Sequence, residues 1–396
     1  MRPRVAHVTT IALSQRYLLH HQLRAIRDAG YRVCGVSSAG DDARVLLEDG
    51  IPHHAVAMSR RMTPLLDLKS IDDLARLFRR ERFSIVHTHN PKPAILGQLA
   101  ARLAGVPVVM HTVHGYYWHE HMKPWLRQAC IDVDRIASSW SDLIFSQSLE
   151  DIDAAIFHKI APADKLVHIG NGIELARFRL NPFARARIRA ELGLNDATPV
   201  VGFVGRLVKE KGLQELLEAM SLVRRTVPNA TLVVVGDTDA EKADAFRPGH
   251  YGMAGACIFT GHRSDVADLY AAFDVFCLPS HREGFPRSPM EASACGVPVV
   301  ATNIRGCRES VVAGDSGLLV PLRDARALAE ALRALLCDPA ERARLGRFGQ
   351  RLARERFDER AVFAKILAGY QRVLRLKGLE VPVASTSPAS AHEEAA

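Results

Sequence analysis

Two carboxylates separated by seven residues, Glu283 and Glu291, stand in the stretch Pro279-Ser280-His281-Arg282-Glu283-Gly284-Phe285-Pro286-Arg287-Ser288-Pro289-Met290-Glu291, just after an apolar run that ends at Leu278. Each ionised carboxylate accepts two or more hydrogen bonds, so such a pair at the end of a strand suits the hydroxyls of a ribose and a sugar. Gly284 permits close backbone approach, and a helix opening near Ser288 presents free N–H groups to an anion. Glu291 falls in the first turn or so of that helix and faces the same side. Taken alone, the same residues describe a solvated loop and a helix with a surface glutamate.

Other polar clusters also follow apolar runs. Gly205-Arg206-Leu207-Val208-Lys209-Glu210-Lys211-Gly212 comes directly after Val200 to Val204, and its Arg206 and Lys211 are either anion ligands or solvated cations of a strand-to-helix loop. His111-Thr112-Val113-His114-Gly115 sits at the end of the run from Val108, where a histidine beside a glycine favours function over packing. In Val86-His87-Thr88-His89 the two imidazoles point to one face of a strand. No third ligand type is expected near them and His89 falls at a frayed strand end, so no shared metal ion is expected. Asp237-Thr238-Asp239 has the form of a metal-binding DxD, but the triplet recurs at Asp132 to Asp134 and Asp151 to Asp153 and carries little specificity. An ordinary polar loop is expected there.

Together, Glu283, Glu291 and the continuation Gly296-Val297-Pro298-Val299-Val300-Ala301 resemble the Glu, seven residues, Glu motif of the retaining glycosyltransferases of family 4. The likeness covers nearly the whole chain and is strongest from Val200 to Val320. It implies an α/β protein of the GT-B type, with two Rossmann-like domains whose parallel sheets face an interdomain cleft. It assigns Glu291 to the nucleotide ribose, Glu283 to the donor sugar, Arg206 and Lys211 to the donor diphosphate, and His114 to the donor sugar near the reacting centre. Fixed cations aimed at a departing diphosphate lower the barrier without a metal. Gly284, Phe285 and Arg263 complete the expected donor pocket, with a uracil-type base near Gly261 to Arg263 held mostly by backbone groups.

The segment Val86 to Lys92 resembles a branch of the family that elongates lipid-linked oligosaccharides of bacterial surface polysaccharides. The acceptor is then a glycan or a polyprenyl-diphosphate-linked chain, with Thr9, Thr10, Ser14, His89 and Lys92 on the acceptor side. Family members commonly carry glycines in the loop after the first strand, and Thr9-Thr10-Ile11-Ala12-Leu13-Ser14 has none. The implied activity is transfer from a nucleotide sugar, with no cofactor. The rivals are a nucleotide-sugar 2-epimerase on the same fold and a non-catalytic sugar-nucleotide or lipid-binding subunit. A dehydrogenase is disfavoured, because Gly170-Asn171-Gly172 lacks a third glycine and lies late in its domain.

The elements that must position these residues follow from apolar periodicity. Val5 to Val8, Tyr31 to Val36, Ser84 to Thr88, Val108 to His111 and Asp142 to Ser146 read as strands buried on both faces, with helices such as Tyr17 to Ala29 and Ala94 to Ala104 between them. A second series comprises Val200 to Val204, Thr231 to Val235, Cys257 to Thr260, Asp274 to Leu278, Val297 to Ala301 and Leu318 to Val320, with a helix over Leu213 to Arg225. Alternation of this kind predicts parallel sheets with crossover helices. The polar stretch Arg177 to Pro182 separates residues 1–178 from residues 183–355. A final amphipathic pattern over Leu352 to Leu376 gives a C-terminal helix at 356–377, and an Ala-, Ser- and Pro-rich tail fills 378–396.

Composition agrees with this division. At 396 residues, 48% hydrophobic and 24% charged, the chain is long enough for two cores. Seven scattered cysteines without CxxC spacing argue against disulfides and zinc. No long apolar run or signal peptide is read, so a cytoplasmic place is expected. The net charge of +8 and pI near 9.2 favour an anionic partner, with no nucleic-acid motif present. The aromatics of residues 116–127 either rest on an anionic membrane, with Arg60, Arg61, Arg76, Arg79, Arg80 and Arg82 adding attraction, or pack the N-terminal domain.

Overall fold

The structure, a computed structural model, describes residues 2–238, 244–246 and 256–382. Asp239 of the DxD triplet and residues 383–396 of the expected tail lie outside the described residues. The chain divides into two compact units: residues up to Ile169 together with those from Phe363 onward, and Gly170–Val362. The Arg177 to Pro182 stretch is tied into the second unit, Arg177 donating to the Ser264 carbonyl (2.8 Å) and Asn181 to Asp268 (3.0 Å).

The first unit holds strands β1 (Arg4–Val8), β2 (Arg32–Ser37), β3 (His53–Ala55), β4 (Ile85–His89), β5 (Val108–Val113), β6 (Leu143–Ser146) and β7 (Leu166–His168). They form one parallel sheet in the order β3-β2-β1-β4-β5-β6-β7. The second unit holds β8 (Val200–Val204), β9 (Thr231–Val235), β10 (Cys257–Gly261), β11 (Val275–Leu278), β12 (Val299–Thr302) and β13 (Gly317–Val320), parallel in the order β10-β9-β8-β11-β12-β13. Interior strands are buried along their length, as continuous apolar runs in β9 and β11 and as Ile-Val-His-Thr-His in β4. The short edge strands β3 and β7 carry too little apolar pattern to be read from the sequence.

In both sheets the strand order turns back on itself at one place, between β1 and β4 in the first and between β8 and β11 in the second. Loops leaving the carboxyl ends of two such strands run to opposite faces and leave a crevice, the usual ligand position of an open parallel sheet. Close packing on β8 depends on glycine: a Cβ on Gly202 would enter the Phe273 ring at 2.1 Å.

The run from Leu352 to Leu376 is not one helix but the end of Pro339–Arg356 and the whole of Glu359–Leu376. The break has a clear cause. Phe357 turns inward and its carbonyl accepts from Ile173 N (2.8 Å), while Glu359 N donates to the Ile173 carbonyl (3.2 Å), so these groups serve a β-bridge instead of a helix. The entry to the Tyr17 to Ala29 helix is a π-helical turn, Gln15–Leu19, followed by His20–Asp28.

Candidate functional site

In the second unit, the loops after β8 and β11 are fastened to each other by charge. Lys211 Nζ donates to Glu283 Oε1 at 2.5 Å, with both side chains mostly buried. Arg282 Nε donates to Glu210 (2.6 Å), His281 N to the Glu210 carbonyl (2.8 Å), and the His281 ring meets Glu215 at 2.8 Å. Glycines allow close approach on both sides of the loop after β11, Gly212 from the β8 loop and Gly306 from the β12 loop. Gly212 (φ +70) has no room for a Cβ, which would stand 2.0 Å from the Pro279 carbonyl oxygen. Gly306 (φ +83) lies so close under the loop that a Cβ would stand 1.9 Å from the Gly284 oxygen. The close backbone approach expected of Gly284 is thus made by Gly306 against it.

Glu291 lies in the helix Arg287–Ala294, and Pro286, at the N-cap position before it, supplies no side-chain cap. Its Oε2 accepts from the buried Tyr270 hydroxyl at 2.8 Å. Burial raises the Glu291 pKa, with Arg287, Tyr270 and Arg177 pulling the other way. The Tyr270 hydroxyl is pushed far up by burial first and by the neighbouring carboxylate, so it remains a donor. Lys211, Glu283 and Glu291 are therefore positioned by residues the motif reading passed over: Glu210, Glu215, Tyr270, His281, Arg282 and Gly306. Helical spacing between Tyr270 and its neighbours gave no signal, because Tyr270 reads as an ordinary core aromatic.

Other expected donor residues are placed differently. Arg206 is exposed, following Gly205 at the end of β8. Arg263 gives three donors to carboxylates, two to Asp265 (2.8 and 2.7 Å) and one to Glu191 (2.5 Å), so its side chain is committed to ion pairs. Phe285 packs edge-to-face on Phe357 at 6.2 Å, and its carbonyl accepts from Asn171 at 2.7 Å. It serves the core. Asp237 accepts from His262 N at 3.0 Å, as a polar loop residue does.

In the first unit, β1 and β4 place His7 opposite His87 in register, and β4 and β5 place His89 opposite Thr112. The expectation that His87 and His89 lack a third ligand type is corrected here: His7 joins them, and ring nitrogens of the three lie within 4.8 Å of one another. Nor is His89 frayed. It is fully buried, hydrogen-bonded to His7 (3.0 Å) and to His114 (3.0 Å). The sequence hid this because His7 is 82 positions from His89 and strand pairing is not written in any one strand. Burial lowers the pKa of His7 and His111 to about 3 and that of His114 to about 4, and drives His87 and His89 well below the usual range, so all five are neutral at pH 7.

The acceptor-side candidates divide. Thr9 is buried, donating to the Ile11 carbonyl (3.0 Å) and accepting from Gln15 (3.1 Å), so its hydroxyl shapes its own loop. Thr10 is also buried, and Ser14 is half-buried at the end of the short helix Ala12–Ser14. Lys92 is tied to the Arg61 carbonyl, to Thr63 (3.2 Å) and to Asp67 (2.6 Å), which spends its three N–H donors on the Arg61 to Asp67 segment. Of the aromatic stretch, Trp118 is buried, stacked on Tyr116 and bonded to Asp134 (2.9 Å), whereas Tyr117 and Trp125 are exposed. The packing alternative holds for Tyr116 and Trp118. Among the described residues no helix is long and apolar enough to cross a membrane.

The chain matches the family Glycosyl transferases group 1 over residues 184–352 and the family Glycosyl transferase 4-like domain over residues 15–172. It is 28% identical to the capsular polysaccharide biosynthesis glycosyltransferase CapM of Staphylococcus aureus, over 94% of this chain and 98% of that protein. Identity is 30% to the UDP-Gal:alpha-D-GlcNAc-diphosphoundecaprenol alpha-1,3-galactosyltransferase of Escherichia coli, over 69% of this chain and 72% of that one. In fold it is similar to Anabaena HepE solved with UDP and glucose, at a TM-score of 0.75 and 22% identity over 93% of this chain and 99% of HepE. With two parallel α/β units of the GT-B type, the chain belongs to the group 1 and 4-like glycosyltransferases, and it is a glycosyltransferase.

Proposed function

We propose that the enzyme moves a sugar from a nucleoside diphosphate, with uridine diphosphate the expected carrier, to a hydroxyl of a lipid-linked or polysaccharide glycan, with retention of anomeric configuration and without a metal ion. The observation that carries this reading is the charged cluster at the β8/β11 crevice, where Lys211 meets Glu283 and Arg282 meets Glu210 across the two loops, with Glu291 on the helix that follows. Lys211 and Arg206 take the diphosphate, Glu291 the ribose and Glu283 the sugar, with His114 assigned to the sugar by the same family likeness. The bond from the anomeric carbon to the phosphate oxygen breaks, the acceptor oxygen bonds to that carbon on the same face, and the acceptor proton passes to the departing phosphate. Fixed cations at the leaving group hold the charge that develops there. The choice of donor and acceptor is supported by the E. coli relative, named for UDP-galactose and a diphosphoundecaprenol acceptor, and by the S. aureus relative of capsular polysaccharide biosynthesis.

A reversible contact of the first unit with anionic membrane belongs to the same proposal. Met62, Leu65 and Leu68 stand exposed beside Arg60, Arg61 and Lys69, and Trp125 is exposed near Lys123. Apolar side chains flanked by cations suit the interface of an anionic bilayer.

The test is a panel of nucleotide sugars with a diphosphate-lipid glycan acceptor, read by product mass and by the anomeric coupling in the product. Transfer with an inverted linkage, or conversion of donor to an isomer when no acceptor is added, would overturn it.

A further inference from the structure

The histidines of the first unit form one continuous hydrogen-bonded chain. Thr112 Oγ1 meets His87 Nε2 (2.7 Å), His87 Nδ1 meets the Tyr370 hydroxyl (2.6 Å), and that hydroxyl meets His7 Nε2 (3.1 Å). From there His7 Nδ1 meets His89 Nε2 (3.0 Å), and His89 Nδ1 meets His114 Nε2 (3.0 Å). Tyr370 reaches the sheet because Gly369 lets its helix press onto β6, where a Cβ would stand 2.5 Å from the Phe145 ring. The far end of the chain is His114 Nδ1, a buried nitrogen with no partner in bonding geometry among the described residues; the Gln147 side chain lies close enough to raise the His114 pKa against the effect of burial.

A metal ion is the competing occupant of His7, His87 and His89, and it fits poorly. All six ring nitrogens of the three already meet one another or a neighbouring hydroxyl or imidazole. A ligating histidine instead turns one bare nitrogen to the ion. No carboxylate figures among the charges acting on them, so a divalent ion would sit in a buried place with its charge uncompensated.

A neutral imidazole has one N–H and one bare nitrogen, so a linear chain of them has only two arrangements, with every proton pointing one way or the other. Thr112 settles the sense. Its hydroxyl is buried and His87 is its one described partner, so pointing the chain toward Thr112 would leave its O–H without an acceptor, at the cost of an unmet buried donor. Pointing it away lets Thr112 donate to His87 Nε2, His87 Nδ1–H to Tyr370, Tyr370 to His7 Nε2, His7 Nδ1–H to His89 Nε2 and His89 Nδ1–H to His114 Nε2. The proton of His114 is then on Nδ1. We propose that Thr112, His87, Tyr370, His7 and His89 are positioning residues that fix His114 as the Nδ1–H tautomer, a hydrogen-bond donor toward a neutral oxygen of the bound sugar. The identity of that oxygen's owner rests on the role proposed above for His114, while the tautomer does not.

The experiment uses the full chain with ¹⁵N-labelled histidine, resonances being assigned through single His→Gln variants. In the ligand-free enzyme at pH 7, His7, His87, His89 and His114 should all show a protonated Nδ1 and a bare Nε2. In Thr112→Val, and independently in Tyr370→Phe, the His114 nitrogens should move toward tautomer-averaged shifts and kcat/KM should fall about tenfold, the worth of one hydrogen bond. Thr112→Ser, which keeps the hydroxyl, should restore both. An Nε2–H chain, a mixture of senses, a charged imidazole in the chain, unchanged His114 shifts in both variants, or stoichiometric metal in the purified enzyme would each overturn the proposal. Titration with UDP-sugars separates the two claims: fixed tautomers with a His114 signal indifferent to donor would support the chain and overturn the sugar contact.

Discussion

The two crevices occupy the same place in two sheets of like topology, yet they are built from opposite materials. At β8/β11 the polar groups are full charges, Lys211 with Glu283 and Arg282 with Glu210, joined across loops that lie partly open. At β1/β4 they are neutral imidazoles and hydroxyls, shut inside the sheet and bonded in a line. A charged crevice suits a charged ligand whose charge grows during reaction, and a neutral, dry one suits the orientation of uncharged hydroxyls. One topology can thus carry two electrostatically different strand-end clusters, charged in one unit and neutral in the other.

The largest effect that could break this comparison is in the charged crevice. Lys211→Ala and Glu291→Ala should each lower transfer by about a hundredfold or more while the circular dichroism spectrum is kept. Near-normal turnover in either would remove the charged crevice from the reaction.

Backbone closeness distinguishes the units next. Gly306→Ala forces a left-handed residue and a Cβ into the Gly284 carbonyl, and should cost upward of about 2 kcal/mol in urea unfolding. Gly105→Ala in the first unit has the same sign of φ but open space around it, and should cost about 1 kcal/mol. Equal losses would show that strain, not the loop contact, matters at Gly306.

Acid should find the first unit out. His7, His111 and His114 have folded pKa values of about 3, 3 and 4, depressed from an unfolded value near 6.5 by burial. Their neutral forms contribute stability that is whole above pH 6.5 and is lost as pH falls from there toward the folded values, because only the unfolded chain takes up the protons. The slope is about 1.4 kcal/mol per pH unit for each such histidine. Asp134 works against it. Burial pushes it up to about 7, so the folded state holds its proton and is favoured as pH falls from 7 toward the ordinary carboxylate range. Urea midpoints of the whole enzyme from pH 7 to 5 should therefore fall, and His111→Gln should make the fall shallower by one proton. A rising or flat midpoint would mean that these imidazoles are solvated.

The smallest effect concerns the surface. Trp125→Ser should weaken partition onto phosphatidylglycerol vesicles by roughly three- to tenfold, as expected for one interfacial aromatic, without changing the unfolding midpoint. Binding that is indifferent to Trp125 and to Leu65→Ser would end the membrane proposal.

Within the second unit, much was readable in advance. β8 and β9 begin and end where the apolar runs do, and the loops after β8 and β11 announce themselves by glycine and charge in an otherwise apolar neighbourhood. Local signals suffice where a strand is buried on both faces and its loop carries the chemistry. The same logic failed for β3 and β7, which are too short to have a pattern, and for the last helix, whose break at Phe357 is imposed by a partner at Ile173.

What the sequence determined by itself was the class of fold and the residue types at each strand end: carboxylates and cations after β8 and β11, histidines along β4 and β5. Only the tertiary structure decided which of them meet. Lys211 finds Glu283 because Gly212 lets the loop after β8 approach the end of β11, and His89 joins His7 and Tyr370 because parallel pairing and a returning helix bring together positions far apart in the chain. Hydrogen bonds and ion pairs act over a few ångströms, and separation along the chain says little about separation in space once a sheet has formed.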